Sequence, residues 1–258
     1  MSQPLLPDGL AEVRERVRGA GHLSVFLDFD GTVTPIVDDP ADAQLEPEMQ
    51  ATLEALAQKD GTLLVFISGR SAADLRRRVA IPNLVYAGNH GLEICGRLNF
   101  VEPSALRKRE LLRGLLDVLN GSLGHIRGAW VEDKILSATV HFRQAASNQE
   151  RAIANIVYAT LAHHSAIFEL NEGKKVFEIV PRTKWHKGAA VCWINARLAR
   201  PDATSIYIGD DRTDEDAFAS LPGEITIRVG DAKGTAARYH VEGTRQVLVF
   251  LEWLNGTR

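Results

Sequence analysis

Leu23-Ser24-Val25-Phe26-Leu27-Asp28-Phe29-Asp30-Gly31-Thr32 decides the fold class of this chain. The first five residues are largely apolar and read as a buried strand, of the kind a parallel sheet covers on both faces. Two aspartates then leave the strand end at positions i and i+2, which puts both carboxylates on one side of an extended chain. Gly31 lets the backbone turn and approach a ligand closely. Crowded carboxylates repel each other and lose hydration, so the pair is a poor way to end an ordinary strand. The competing reading is two solvated turn aspartates before a glycine.

Helices and strands alternate on either side. Before the strand lies a short helix, Gly9 to Arg18, with Asp8 as its candidate cap. After it come a helix over Pro47–Gln58, with Leu53, Leu56 and Ala57 on one face, and a buried strand, Thr62–Ile67, ending in Ser68-Gly69-Arg70. A basic amphipathic helix, Ala72–Val79, and a strand, Leu84–Ala87, lead to Gly88-Asn89-His90-Gly91. Strand–helix alternation predicts a parallel sheet with crossover helices, and ligands in such sheets sit beyond the carboxyl ends of the strands.

From Pro103 the pattern changes to helix (Ser104–Leu119), two β runs (Ala129–Glu132, Ser137–Phe142), helix (Asn148–His163) and two more strands (Ala166–Leu170, Lys175–Val180). Hairpin turns are expected at Asp133–Leu136 and Asn171–Lys174. Alternation resumes with a helix over Lys187–Leu198, a strand Ser205–Ile208, a short helix Asp214–Ala219, a strand Ile225–Val229 and a closing helix Arg245–Leu254. The expected organisation is therefore a Rossmann-like α/β core, residues 1–102 and 181–258, interrupted by a smaller inserted α/β domain, 103–180. Two crossings suit a hinge.

Composition narrows the function classes. The chain has 258 residues, 45% hydrophobic and 24% charged, with formal net charge −3. No basic excess points to nucleic acid or an anionic membrane. No apolar run is long enough to span a bilayer. Cys95 and Cys192 are far apart and form neither a metal pair nor a disulfide framework, which fits a reducing cytoplasm. No repeat is present.

Four strand or helix ends carry polar groups. On the functional reading, Asp28 is a nucleophile that attacks phosphorus, Asp30 the acid and base, and Mg²⁺ the hard cation that lets a carboxylate approach a phosphate. Ser68 can donate to a phosphate oxygen, or simply cap a helix. Lys187 opens a helix, where a cation opposes the dipole unless an anion shares the end; the bland alternative is an exposed lysine. Gly209-Asp210-Asp211-Arg212-Thr213-Asp214-Glu215-Asp216 follows a strand and can complete an oxygen coordination sphere, or be a solvated acidic helix start. No GxxxxGK[ST] nucleotide loop occurs.

Taken together, the carboxylate pair, Ser68, Lys187 and the acidic cluster resemble the haloacid dehalogenase superfamily of aspartate-nucleophile phosphotransferases. Residues 28–36, Ile67-Ser68-Gly69-Arg70, Gly88-Asn89-His90-Gly91 and 209–218 resemble the trehalose-6-phosphate phosphatase family within it. The resemblance implies Mg²⁺-dependent hydrolysis of trehalose 6-phosphate and a functional link to trehalose-6-phosphate synthase. It implies metal ligation by Asp28, Asp30 through its carbonyl, Asp210, Asp211 and Asp214. Gly31, Thr32, Ser68, Gly69 and Lys187 would bind phosphate. It implies sugar contacts from Arg70, Asn89, His90 and Gly91 and, in the inserted cap, from Glu132, Lys134, Arg143 and Glu178, with His141 a further candidate. Carboxylates that accept two hydroxyls each suit a neutral disaccharide. Without the resemblance, the cap residues read better as exposed strand charges near a hairpin. The family often carries Arg where this chain has Val180, and Arg182 is the candidate substitute. Competing functions are a phosphatase for sucrose 6-phosphate, mannosyl-3-phosphoglycerate or a hexose phosphate, a mutase, and a non-catalytic module that binds trehalose 6-phosphate or a synthase.

Overall fold

The computed structural model of the chain describes residues 3–5 and 9–257. Asp8, the expected helix cap, lies outside the described residues. The chain divides into two compact units, Met1–Phe100 with Trp185–Arg258, and Val101–Lys184. The joins fall at 100/101 and 184/185.

The first unit carries β1 (Gln3–Pro4), α1 (Leu10–Gly19), β2 (His22–Leu27), α2 (Pro47–Ala57), β3 (Thr62–Ile67), α3 (Ala72–Val79), β4 (Val85–Gly88), β5 (Glu93–Gly96) and β6 (Phe100–Val101), where the chain passes into the second unit. The second unit holds α4 (Pro103–Arg107), α5 (Arg109–Leu123), β7 (Trp130–Asp133), β8 (Ala138–His141), α6 (Glu150–Leu161), β9 (Phe168–Gly173) and β10 (Val176–Pro181). Back in the first unit are α7 (Lys187–Leu198), β11 (Ala203–Gly209), α8 (Glu215–Ser220), β12 (Ile225–Val229), β13 (Tyr239–Val241) and α9 (Thr244–Thr257).

The large sheet has the order β1-β13-β12-β11-β2-β3-β4-β5-β6. Strands β2 and β3 are buried at every position after the first, because helices cover both faces. Alternation sends Val25, Leu27, Leu64 and Phe66 into one layer, with Leu53 of α2 and Leu251 of α9. It sends Phe26, Val65 and Ile67 into the other, with Val191 of α7 and Phe218 of α8. Each such side chain contributes roughly 1.5–3 kcal/mol on burial. Strands run outward from β2 to β3 to β4 on one side, whereas β11 pairs with β2 on the other. The strand order therefore reverses at the β2/β11 boundary, the crevice position for a ligand in an open α/β sheet.

The sheet is not wholly parallel: β5 pairs antiparallel with β4. This strand, with β1, β6 and β13, is absent from the sequence-level expectation, because runs of two to four residues give no readable period.

In the second unit, four antiparallel strands lie in the order β7-β8-β10-β9. Leu112, Leu115, Leu116, Leu119 and Leu123 of α5 and Ile153, Val157 and Leu161 of α6 pack with Val140, Phe177 and Ile179. The expected helix 104–119 is instead two. Lys108 (φ −89°, ψ −4°) interrupts it, and Pro103 with the Glu102 cap starts the first piece. The second hairpin is tighter than expected. Asn171 pairs with Glu178 in the ladder, and the turn falls at Lys174-Lys175, with Lys175 left-handed (φ 65°). No described helix is long and apolar enough to cross a membrane.

Candidate active site

The β2 strand delivers Asp28 to the crevice, 5% exposed. Lys187 is the first residue of α7, 2% exposed, and its ammonium donates to Asp28 Oδ1 and to Asp214 Oδ1, both at 2.7 Å. Asp214 Oδ1 also accepts from the buried Tyr207 hydroxyl at 2.7 Å, and its Oδ2 accepts from the Asp211 N–H at 2.9 Å. The segments that follow the two strands flanking the switch point thus share one cation. Tyr207 was not anticipated from the sequence; a phenol in a buried strand beside an acidic loop is its only prior signal.

The electrostatics are lopsided. Oxygens of Asp28, Asp210 and Asp214 lie within 4.8 Å of one another, against the single ammonium of Lys187. Burial raises the Asp28 carboxyl well above its ordinary range; Lys187 opposes the rise, and Asp214 and Asp210 add to it. Burial, followed by Asp214, pushes Asp210 up to about 7. Burial would lower Lys187, but Asp214 and Asp28 hold its ammonium well above the usual range. Asp210 Oδ1 is buried without a hydrogen-bond partner. An unsatisfied oxygen among crowded hard donors suits a divalent cation such as Mg²⁺.

The five expected metal ligands do not all meet. Asp211 Oδ1 accepts from the Arg212 N–H at 2.6 Å, and its side chain caps the short turn Arg212–Asp214, so it stands outside the cluster. The Asp30 side chain pairs with Arg70, whose Nε and Nη2 donate to its two oxygens at 2.7 and 2.6 Å, which leaves its carbonyl as the atom expected at the metal. Gly31 is left-handed (φ +80°), and a Cβ there would fall 2.0 Å from Asp210 Oδ2. Gly209 faces Asp214 in the same way, at 2.3 Å from Cγ. Thr32 is fully buried.

Ser68 is 2% exposed, and its Oγ accepts from the Arg70 N–H at 3.1 Å. Its carbonyl accepts from the His90 N–H at 2.9 Å, which ties the β3 and β4 ends together. Asn89, His90 and Gly91 are left-handed in succession (φ 50°, 58° and 92°). Two of these are non-glycine, at roughly 1–2 kcal/mol each. Asn89 is fully buried and donates through Nδ2 to Glu93 Oε1 at 2.7 Å. The Gly91 carbonyl accepts from Trp185 Nε1 at 2.7 Å, and a Cβ there would meet Ala190 of α7 at 2.5 Å. This loop therefore packs on the helix that presents Lys187.

The second unit gathers its own set on the sheet face away from its helices. Register places Glu132, Thr139 and Glu178 side by side across β7, β8 and β10. His141 Nε2 and Glu132 Oε2 are 2.9 Å apart, and Lys134 Nζ donates to Glu178 Oε1 at 3.4 Å. Trp130, half-exposed and unanticipated, stacks on the His141 ring at 4.0 Å. Arg143 donates to the Lys174 carbonyl at 3.2 Å. Arg182 is committed to the Ser165 carbonyl at 2.7 Å and to Glu169 at 3.3 Å, within the same unit.

A doubly wound sheet with an aspartate-rich switch point defines a haloacid dehalogenase-like fold. A haloacid dehalogenase-like hydrolase from Bacteroides thetaiotaomicron shares it, with TM-score 0.63 at 13% identity over 90% of this chain and 98% of that one. The trehalose-phosphatase family model matches residues 26–244. This chain belongs to that family. It is 34% identical over 249 residues to trehalose-phosphate phosphatase B of Arabidopsis thaliana, covering 89% of this chain and 65% of that protein. It is 34% identical over 246 residues to the trehalose-phosphate phosphatase of Mycobacterium avium, covering 90% and 62%. The chain thus spans less than two thirds of these two relatives. The C-terminal domain of Candida albicans trehalose-6-phosphate phosphatase superposes with TM-score 0.81 at 25% identity over 98% of both chains.

Proposed function

We propose that this protein hydrolyses trehalose 6-phosphate to trehalose and phosphate. The observation that carries the reading is Asp28, buried at the switch point, with one oxygen fixed by Lys187 and Asp210 alongside. The family membership and the carboxylates of the second unit's sheet support the substrate.

Lys187 holds Asp28 Oδ1, which orients the carboxylate and leaves the other oxygen to attack phosphorus. The new O–P bond forms as the sugar O–P bond breaks, and Asp30 gives a proton to the departing sugar oxygen. Water then attacks phosphorus of the aspartyl-phosphate and passes a proton to Asp30. The Asp28–phosphorus bond breaks, and phosphate and the starting carboxylate are restored. Asp28, Asp210 and Asp214 would hold Mg²⁺, which supplies positive charge against the approach of one anion to another. Backbone around Gly31 and Thr32, with Ser68, would take the phosphate oxygens. Glu132, Lys134 and Glu178, with Trp130 beside them, would read sugar hydroxyls and ring faces. A trehalose-6-phosphate synthase is the natural source of the substrate.

Asp28→Asn is expected to abolish turnover, because an amide is a far poorer nucleophile; normal phosphate release by that variant would sink the mechanism. The substrate is tested by phosphate release over a panel of sugar phosphates, with and without Mg²⁺. Strong preference for sucrose 6-phosphate or a hexose phosphate would overturn the assignment.

A further inference from the structure

We propose that Arg70 is a positioning residue that aims Asp30 at the reacting atoms, an inference that rests on the reading of Asp30 as acid and base. Arg70 sits on the loop between β3 and α3, where the family resemblance alone implies a sugar contact. Its donors point elsewhere. Nε and Nη2 form a two-pronged pair with the two oxygens of Asp30 at 2.7 and 2.6 Å. Nη2 also donates to the Pro40 carbonyl and Nη1 to Asp74 Oδ2, each at 2.9 Å. The guanidinium lies 5.4 Å from the centre of the Phe29 ring, and the residue is buried. A guanidinium engaged on four sides has little left for a sugar hydroxyl.

The far end of the brace is also fixed. Asp74 accepts from Arg78 Nε at 2.7 Å and pairs with Arg77. Its N–H is capped by Ser71 Oγ at 3.2 Å. A line of short contacts thus runs from helix α3 through Asp74 and Arg70 to Asp30. Asp30 is its open end, with 38% of its side chain exposed against 10% for Arg70. A carboxylate has about four lone-pair directions, so the pair with Arg70 leaves others to handle a proton. The planar fork fixes the carboxylate in both distance and tilt, which a lysine ammonium does not. Misplacement by about 1 Å can cost on the order of 10²-fold in rate.

The test uses the full chain, Arg70→Gln and Arg70→Lys, with two substrates. Trehalose 6-phosphate releases an alkoxide that needs a well-placed acid. 4-Nitrophenyl phosphate releases a phenolate that leaves without one, so only its second, water-consuming step calls on Asp30. Arg70→Gln is expected to lower kcat for trehalose 6-phosphate by about 10²-fold, the scale of general acid–base help. KM should change less than about three-fold, because no binding contact is lost. With the aryl ester, the nitrophenolate burst should persist while steady turnover falls. Arg70→Lys keeps the charge without the fork and should show the same selective loss, so it carries the test if Arg70→Gln does not fold. A rise in KM of ten-fold or more with kcat preserved would overturn the inference in favour of sugar binding. Equal loss of burst and turnover would mark Arg70 as merely structural, and full activity in Arg70→Lys would also overturn it. Asp28→Asn checks the underlying reading separately: normal turnover by that variant defeats the aspartyl-phosphate step, not the role of Arg70.

Discussion

The two units handle charge in opposite ways. In the first, Lys187 and Asp214 are at most 2% exposed on their side chains and are satisfied by each other, by Asp28 and by Tyr207. In the second, Glu132 keeps 34% of its side chain exposed and Glu178 18%, with His141 of β8 and Lys134 of the turn after β7 as their partners. A buried cluster is fixed because any lost partner leaves a charge uncompensated in a poor solvent for charge. A half-exposed sheet face can exchange its internal pairs for ligand hydroxyls at small cost. The difference suits chemistry in one unit and recognition in the other.

Removing the shared cation should sharpen that contrast most. Lys187→Met leaves three neighbouring carboxylates without their ammonium, and a loss of about 3–5 kcal/mol is expected on the scale of broken buried ion pairs. Urea unfolding checks it, and a change below about 1 kcal/mol would break the comparison. Gly31→Ala forces a left-handed alanine against Asp210, so a loss of at least about 1–2 kcal/mol is expected. Phosphate release should be lost with it. Glu132→Ala in the second unit should barely change stability. Its KM for trehalose 6-phosphate should rise by about ten-fold, equivalent to one hydrogen-bonded group at roughly 1.4 kcal/mol. An equal effect on an aryl phosphate would show that the residue does not read the sugar.

The smallest effect is a pH slope. Burial raises the Asp74 carboxyl, but Arg78 and Arg70 outweigh it and hold it below its ordinary 3.8. Stability from a depressed carboxyl is present above the unfolded value and is lost as pH falls through the folded one. Asp74→Asn should therefore flatten the decline in unfolding midpoint from pH 5 towards acid. An unchanged slope would remove Asp74 from the brace.

The long parallel strands were legible because five buried residues in a row leave few alternatives, and Asp28, Lys187 and Asp210 each close or open such an element. Other assignments needed three dimensions. Asp30 and Arg70 are forty positions apart, and only their meeting separates a brace from a sugar contact. Asp211 and Asp214 look alike in sequence, yet one caps a turn and the other anchors the lysine. Asp74 was missed in the sequence, although Arg70, Asp74 and Arg78 stand at the i, i+4 spacing at which ion pairs form along a helix. The edge strands were not legible, because their pairing depends on the neighbours they find.

Gly31 facing Asp210 means that two loops nearly 180 positions apart are cut to fit each other, while Gly209 facing Asp214 fits the second loop to itself. In laboratory evolution, single changes at either glycine should be purged while the opposing aspartate keeps its length. Acceptable solutions would arrive only as joint changes that shorten one side as the other grows. Deep mutational scans of the two loops should therefore show strong pairwise epistasis between positions 31 and 210, so a library that varies one loop at a time will see Gly31 as immovable.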